Sequence, residues 1–444
     1  METNRRKFLK TAAVGTAGIM IGGSHLSAKS YNKIVGANDR IFAAIAGLGR
    51  RVNAIYTPIA LERNNVELLY LCDVKESQRV KAGKVVADRM DYKPKLENDI
   101  RKVIEDPKVD ALFNLTPDHW HAPGSIMALK EGKHVYVEKP CSHNMAENEL
   151  LVAAQEKYGK LVQMGNQQRS AQTSRSAIED IKKGIIGDVF KGEAYYSNNR
   201  GSIGHGNKID VPQTLDWELW QGPAPRENYR DNIHPYNWHW FRNWGTGEIH
   251  NNGTHEIDIC RWALGVNLPE TVTSFGGKYT YDDDWQFPDN QQVTYTFPGD
   301  KFITWTSHSR GIMKPERPGR GITIYGSKGV IELSRNFYKL YDLGGNPIKI
   351  EYEKELSATT NTQGIGGLDV NHISNFFNAI RKDTSLNSEI RDASVSTMLC
   401  HLGNMAQDVG HSLEVDTNTG KILNSEKAMK NWKRDYENGW EPKL

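Results

Sequence analysis

The chain has 444 residues, 38% of them hydrophobic and 25% charged, with 56 Lys and Arg against 54 Asp and Glu. That length is too great for one small core and implies two domains. The near-balance of charge excludes a nucleic-acid partner or an anionic membrane surface as the main ligand. Four widely spaced cysteines, Cys72, Cys141, Cys260 and Cys400, are too sparse for a disulfide framework and read as buried small hydrophobes.

The first element is an export segment. Arg5-Arg6-Lys7-Phe8-Leu9-Lys10 resembles the twin-arginine signal, R-R-x-F-L-K. The apolar run from Thr11 to Gly23 is about thirteen residues, too short to span a bilayer, and rich in Gly and Ala. Residues 1–30 are therefore expected to be a removable signal, with Ala28 a candidate cleavage point. The mature protein is expected in the periplasm, exported folded and without stable membrane insertion.

From Ile41 the pattern is strand, glycine turn, helix: IFAAIA, GLGRRV, NAIYTPIALERN. Gly47 and Gly49 fill the first two positions of G-x-G-x-x-G, and Val52 stands at the third. The first glycine permits the tight turn and the second lets backbone approach a pyrophosphate. The third mainly serves helix–strand packing, so its loss is the most tolerable. Arg50 and Arg51 add charge near the phosphates. VELLYLCDV predicts a second buried strand ending at Asp73, whose carboxylate accepts both ribose hydroxyls and favours NAD over NADP. ENDIRKVIED then reads as a helix. Strand DALFNL follows, with TPDHWHA at its end, then helix GSIMALKEG, strand HVYVEKP, another helix, and strand LVQMGNQQR. This alternation predicts a doubly wound parallel sheet, a Rossmann domain over 38–165. Ligands of such sheets sit beyond the carboxyl ends of the strands. The polar clusters fall there: Asp73, Thr116 to His121, Glu138 to Pro140, and Asn166 to Arg169. Glu138 and Asn166 are assigned to the cofactor with Asp73.

VEKP after a strand, TPDHWHA one unit earlier, and the sheet pattern together resemble the Gfo/Idh/MocA oxidoreductases, which include glucose–fructose oxidoreductase and inositol dehydrogenase. The likeness covers the chain from about residue 38 onward. It implies that Lys139 lies beside the nicotinamide and the reacting carbon, and that the backbone around Thr116, Pro117 and His119 lines the cofactor. It also implies a homodimer or homotetramer built on the C-terminal sheet, with residues 24–38 a candidate arm around a neighbouring subunit.

From Asp188 the texture changes. VFKGEAYYSN, TVTSFGGKYTY, QQVTYTFPG, KFITWTSHS, GITIYG and GVIELSRNFYKLYD alternate with period two and carry β-branched and aromatic residues. They predict a large, mostly antiparallel open sheet in a second α/β domain, 166–444, with amphipathic helices near its end. The stretch 199–236 reads as irregular loops near the site. The 11 Trp and 18 Tyr concentrate partly between 195 and 244, which fits either sugar stacking or aromatic core and loop anchors.

The resembled family carries G-G-G-x-x-x-D-x-G-x-H in this half. Here it reads Gly245, Thr246, Gly247, Asn251 at the Asp position, Gly253 and His255. The resemblance implies His255 as the acid/base beside the substrate hydroxyl. Asn251 cannot exchange a proton but can hydrogen-bond a hydroxyl, which leaves proton transfer to Lys139 and His255. Arg169, Trp238, His239 and Trp240 are expected to complete a carbohydrate pocket. No metal is expected, because His250 and His255 do not share one helix face.

The function expected is an exported NAD(H)-dependent oxidoreductase acting on a sugar or glycoside secondary hydroxyl, for example a glycoside 3-dehydrogenase. NAD is scarce outside the cytoplasm, so the chain would fold around the cofactor and leave with it. One alternative is an NAD-dependent glycoside hydrolase or lyase working by transient oxidation. Hydrolases of the resembled fold generally lack Lys after the Glu of EKP, and Lys139 is present here. A second alternative is a non-enzymatic sugar-binding protein, for which Val52 and Asn251 would speak.

Overall fold

Ile41–Ala46 (β1) is apolar along nearly its whole length, so it needs cover on both faces, as a parallel sheet between helix layers provides. The computed structural model describes residues 39–90, 92–311, 319–353 and 367–444. It builds that sheet from β1, Val66–Cys72 (β2), Lys95–Glu97 (β3), Ala111–Asn114 (β4), His134–Val137 (β5) and Val162–Met164 (β6). The order is β3-β2-β1-β4-β5-β6, parallel throughout, with the switch point between β1 and β4. Helices Asn53–Ala60 (α1), Glu76–Met90 (α2), Ile100–Ile104 (α3), Asp118–Lys130 (α4) and Met145–Tyr158 (α5) make the crossovers. β6 is shorter than LVQMGNQQR predicts, because the chain turns into a 3₁₀ stretch at Gln167–Ser170. The export segment and residues 24–38 lie outside the described residues.

Gln172–Lys182 (α6) leads into the second sheet, which opens with Val189–Asn199 (β7). Trp217–Gln221 (α7) and Thr254–Leu264 (α8) follow. Then come Thr271–Gly277 (β8), Asn290–Phe297 (β9), Lys301–His308 (β10), Arg310–Gly311 (β11), Arg320–Gly326 (β12), Gly329–Leu333 (β13), Phe337–Asp342 (β14) and Pro347–Tyr352 (β15). Gly367–Ile380 (α9), Ile390–Val409 (α10), Leu413–Glu414 (β16) and Glu426–Lys430 (α11) complete the chain. The strand order is β15-β14-β13-β12-β7-β10-β9-β8-β16, with β11 on β7. All pairs are antiparallel except β7 with β10.

Period two sets which face is covered. In β9 the alternate residues Gln291, Val293, Tyr295 and Phe297 are buried. Val293, Tyr295 and Phe297 pack with Trp305, with Ile257, Cys260 and Leu264 of α8, and with Leu399 and Ala406 of α10. All four cysteines are buried and free.

The second half also finishes the first half's core. Ile373, Phe376 and Phe377 of α9 join Ile41, Ile45, Phe113 and Tyr136 in one apolar cluster. The Phe376 ring meets Phe113 edge-on, with centroids 5.8 Å apart at 87°. Phe376 is fully buried, so Phe376→Ala should cost about 3–5 kcal/mol. Denaturant unfolding checks this, and a loss under about 1 kcal/mol would mean that α9 does not pack there.

Candidate active site

Gly47 follows β1 with φ +88°, and a Cβ there would lie 2.4 Å from the Leu115 carbonyl oxygen. Only glycine fits this approach to the end of β4. Gly49 differs: its φ is −71°, and a Cβ would meet nothing within 4 Å, so open space lies over the turn. Asp73 ties the turn together. Its Oδ2 accepts from the Leu48 N–H at 2.7 Å and its Oδ1 from the Lys75 N–H at 2.8 Å. Burial raises the Asp73 carboxyl, against those two backbone donors. Each oxygen keeps a lone pair for a ribose hydroxyl. Val52, at the missing glycine, is buried in the 3₁₀ turn that starts the helix. These features fit a dinucleotide lying over β1 and β2. The Asn166 amide at the end of β6 adds to the fit: it is buried, and neither its nitrogen nor its oxygen has a hydrogen-bond partner.

The two arginines of the turn diverge. Arg50 places its guanidinium 5.2 Å from the Tyr236 ring. Arg51 donates from Nε to Glu138 Oε1 and from Nη2 to Asp369 Oδ1, both at 2.6 Å. Burial opposes its charge, but Asp369 and Glu138 outweigh burial and hold it protonated. Arg51 therefore braces the EKP carboxylate against α9, and its charge is neutralised locally. Gly165 sits against Glu138, where a Cβ would come within 2.7 Å of the carboxylate.

Lys139 follows on the same turn, before a cis bond to Pro140. Its Nζ donates to the Asn251 carbonyl at 2.6 Å, with Asn251 Oδ1 at 3.4 Å. Burial lowers its ammonium, against Asp118 and Glu138. Asn251 lies in a π-helical turn, Ile249–Gly253, that runs directly into α8. Its Nδ2 lies 3.4 Å from Glu248 Oε1. Glu248 is buried and paired with Arg200 at 2.8 Å. Burial works against the carboxylate, but Arg200 keeps its pKa below the usual range.

His255 lies on the first turn of α8 and is 7% exposed. It lines a small cavity of about 20 Å³ with Arg51, Gln167, Gln168, Arg335, Leu368 and Asp369. Burial drives its imidazole well below the ordinary value, and Arg335, Lys139 and Arg320 push the same way. A neutral imidazole is the form that can accept a proton. His239 is a second neutral imidazole within electrostatic reach of Lys139, depressed by burial. It stacks on Trp238 at 3.6 Å, and the Tyr236 carbonyl accepts from its Nδ1 at 2.6 Å.

The side chains of other expected residues have partners of their own. Arg169 does not reach the cavity: its guanidinium forks onto Asp258 at 2.7 and 2.8 Å and reaches Asp392 at 3.1 Å. Trp240 is 1% exposed and stacked on Trp285 at 3.6 Å, which makes it core rather than a sugar platform. The His119 ring is fully buried and donates from Nε2 to the Trp220 carbonyl at 2.9 Å. Thr116 Oγ1 donates to Asn114 Oδ1 at 2.6 Å, and Pro117 caps α4. Sequence reasoning gave no role to Asp118 within the Thr116–His121 cluster; it accepts from Thr246 Oγ1 at 2.5 Å and faces Lys139 electrostatically. That reasoning also missed Glu248 and Arg335. Strand-end position marks Asp118; the other two carry no local signal. Among the described residues no group of three or more His, Cys, Asp or Glu is placed to hold a metal ion. No helix among them is long and apolar enough to cross a membrane.

A parallel sheet with a glycine turn, a strand-end carboxylate, and a lysine in electrostatic reach of a buried histidine defines an enzyme of dinucleotide-linked redox chemistry. Residues 41–166 match the oxidoreductase family model with the NAD-binding Rossmann fold, and residues 219–332 match the GFO/IDH/MocA C-terminal domain. Together the two matches cover more than half of the chain. The chain belongs to the Gfo/Idh/MocA family of NAD-binding oxidoreductases. A glycosyl hydrolase family 109 protein of Shewanella pealeana is 26% identical over 212 residues, 44% of this chain and 46% of that protein. The chain thus spans about half the length of the curated relatives it matches. Among solved structures, the WlbA dehydrogenase of Bordetella pertussis, in complex with NADH and UDP-GlcNAcA, aligns with a TM-score of 0.64 at 17% identity, over 85% of this chain and 99% of its own. The aldose-aldose oxidoreductase of Caulobacter crescentus aligns with a TM-score of 0.63 at 18% identity, over 85% and 100%. These two likenesses establish the fold.

Two predictions follow from this geometry. Gly47→Ala puts a Cβ against the Leu115 carbonyl and strains a left-handed backbone, a cost of about 1–3 kcal/mol. Calorimetric titration should show NAD affinity reduced by at least about tenfold, the equivalent of about 1.4 kcal/mol; unchanged affinity would contradict the turn geometry. The second concerns acid. Burial lowers His119 and His401 to about 3, and His143, His239, His250 and His255 well below the ordinary value. Below about pH 6.5 the unfolded chain takes up protons that the fold refuses, so stability is full above that pH and falls as pH drops through it. The thermal midpoint should decline from about pH 7 to about pH 5, and a flat profile would contradict the burial of these rings.

Proposed function

We propose that the protein is an exported NAD(H)-dependent oxidoreductase acting on a secondary hydroxyl of a sugar or glycoside, with the cofactor tightly retained. The observation that carries this reading is the convergence of Lys139 and the neutral His255 where the strand ends of the nucleotide sheet meet α8. Gly47, Gly49, Asp73 and Asn166 would hold NAD. When bound, NAD supplies the hydride acceptor for alcohol oxidation.

The chain's own residues divide the remaining work. His255 takes the hydroxyl proton, since its imidazole stays unprotonated at neutral pH. Lys139 donates to the Asn251 carbonyl, with Asn251 Oδ1 also in reach, and turns a remaining N–H to the substrate oxygen, where its charge stabilises the developing alkoxide. Asn251 positions the lysine and offers its amide to a neighbouring hydroxyl. His239, within electrostatic reach of Lys139 and stacked on Trp238, would offer a ring face to a sugar.

The names of relatives support a carbohydrate substrate: an aldose-aldose oxidoreductase, a levoglucosan dehydrogenase and a dehydrogenase solved with a UDP-sugar acid. The family 109 relatives favour a second reading, glycoside cleavage through transient oxidation and re-reduction. The twin-arginine segment supports periplasmic location, and a retained cofactor accounts for a dinucleotide enzyme there. Phe275, Ile348 and Tyr352, exposed on the second sheet by 71%, 60% and 66%, suit a homodimer or homotetramer.

Native mass spectrometry of protein taken from the export compartment should show one dinucleotide per chain. Adding sugars or glycosides should then produce reduced-nicotinamide fluorescence, slowed about 10²–10³-fold in Lys139→Met. Protein without dinucleotide, or fluorescence unaffected by Lys139→Met, overturns the reading. Aglycone release from a chromogenic glycoside without added acceptor would select the cleavage reading.

A further inference from the structure

The irregular stretch between β7 and α8 is anchored at three places around the carboxyl ends of β1, β2 and β4. At the end of β2, just beyond Asp73, backbone pairs with backbone. The Glu76 N–H donates to the Thr214 carbonyl at 3.0 Å, and the Asp216 N–H donates to the Val74 carbonyl at 3.1 Å. At the glycine turn after β1, the Tyr236 ring lies under the Arg50 guanidinium at 5.2 Å. At the end of β4, the Trp220 carbonyl accepts from His119 Nε2 at 2.9 Å and from Trp120 Nε1 at 3.0 Å. The His119 backbone N–H donates to the Trp244 carbonyl at 3.2 Å.

The stretch has a core of its own. Leu215, Trp217, Trp220, Ala224, Tyr229, Ile233, Phe241 and Trp244 form a cluster separate from those of the two sheets, with Val74 packed against it. Trp217 stacks on Trp220 at 4.6 Å and 14°. Gly222 turns beneath Trp120, where a Cβ would fall 2.1 Å from the indole. A segment with its own aromatic core moves as a unit rather than residue by residue. Its three anchors lie at the positions the fold reserves for adenosine ribose, pyrophosphate and the nicotinamide side of a dinucleotide.

We infer that residues 203–244 are a strap that closes over the bound dinucleotide and sets how slowly it leaves. The inference rests on the proposed retention of NAD and names the residues responsible. His119 and Trp120 are then strap anchors, and the aromatic cluster around Trp217 and Trp220 serves cofactor enclosure.

The test is exchange of bound NAD for an isotopically labelled NAD in the holoprotein, followed by native mass spectrometry. Trp217→Ala removes part of the strap's core, and Tyr236→Ala removes its contact with Arg50. Each should speed exchange by at least about tenfold, the effect of losing about 1.4 kcal/mol. Tyr236→Phe keeps the ring and should stay near the parent rate. Bound NAD should also slow tryptic cleavage at the exposed Lys208 and Arg230. Folding of each variant is read from its thermal midpoint, and should one fail to fold, the tryptic protection of the parent protein decides. Unchanged exchange in both alanine variants, or cleavage at Lys208 and Arg230 equally fast with and without NAD, overturns the strap. Failure of the parent to bind NAD at all overturns the functional reading as well, so the two failures are distinguishable.

Discussion

The hydrogen bond from Lys139 to the Asn251 carbonyl joins the chemistry of the two halves. It links the turn after β5 to the π-helical turn that carries the chain into α8 and His255. A lysine in this half-buried cleft is costly unless its proton is held, and here the holder is a backbone oxygen, which cannot titrate. Burial lowers the ammonium, and Asp118 and Glu138 oppose that shift. Glu138 is itself gripped by Arg51, which is why a bond at the glycine turn bears on the charge around Lys139.

Asn251, where the family has Asp, gains a physical account from this arrangement. The carboxylate of the neighbourhood is Glu248, three residues earlier and ion-paired with Arg200. With the amide between Lys139 and Glu248, charge near the lysine is lowered without losing hydrogen bonding. The imidazole of His255 is surrounded electrostatically by Arg335, Lys139, Arg320 and Arg51, all of which favour its neutral form. Such a site is built for a base on one side of a hydroxyl and a cation on the other.

Much of the architecture was legible because its signals are local. The apolar run of β1, Gly47 with its left-handed backbone, Asp73 at a strand end and the turn bearing Lys139 each announce themselves within a few residues. What was not legible depended on partners far along the chain. Arg169 reads as a site residue by position, but Asp258, 89 residues away, claims its guanidinium. Trp240 reads as a sugar platform until Trp285 covers it. The His119 side chain is likewise claimed from afar, by the Trp220 carbonyl 101 residues away. The crossing of α9 into the nucleotide core was also hidden, because an amphipathic helix does not say which sheet it covers.

The central claim is direct hydride exchange between a carbohydrate carbon and the nicotinamide held against Lys139 and His255. Isotope transfer tests it most directly. Holoprotein would be incubated with glycosides deuterated at single ring carbons, and its dinucleotide then extracted and weighed by mass spectrometry. The account predicts deuterium on the nicotinamide from one ring carbon and from no other. Dinucleotide that acquires no label from any position, while the glycoside is consumed, would contradict it.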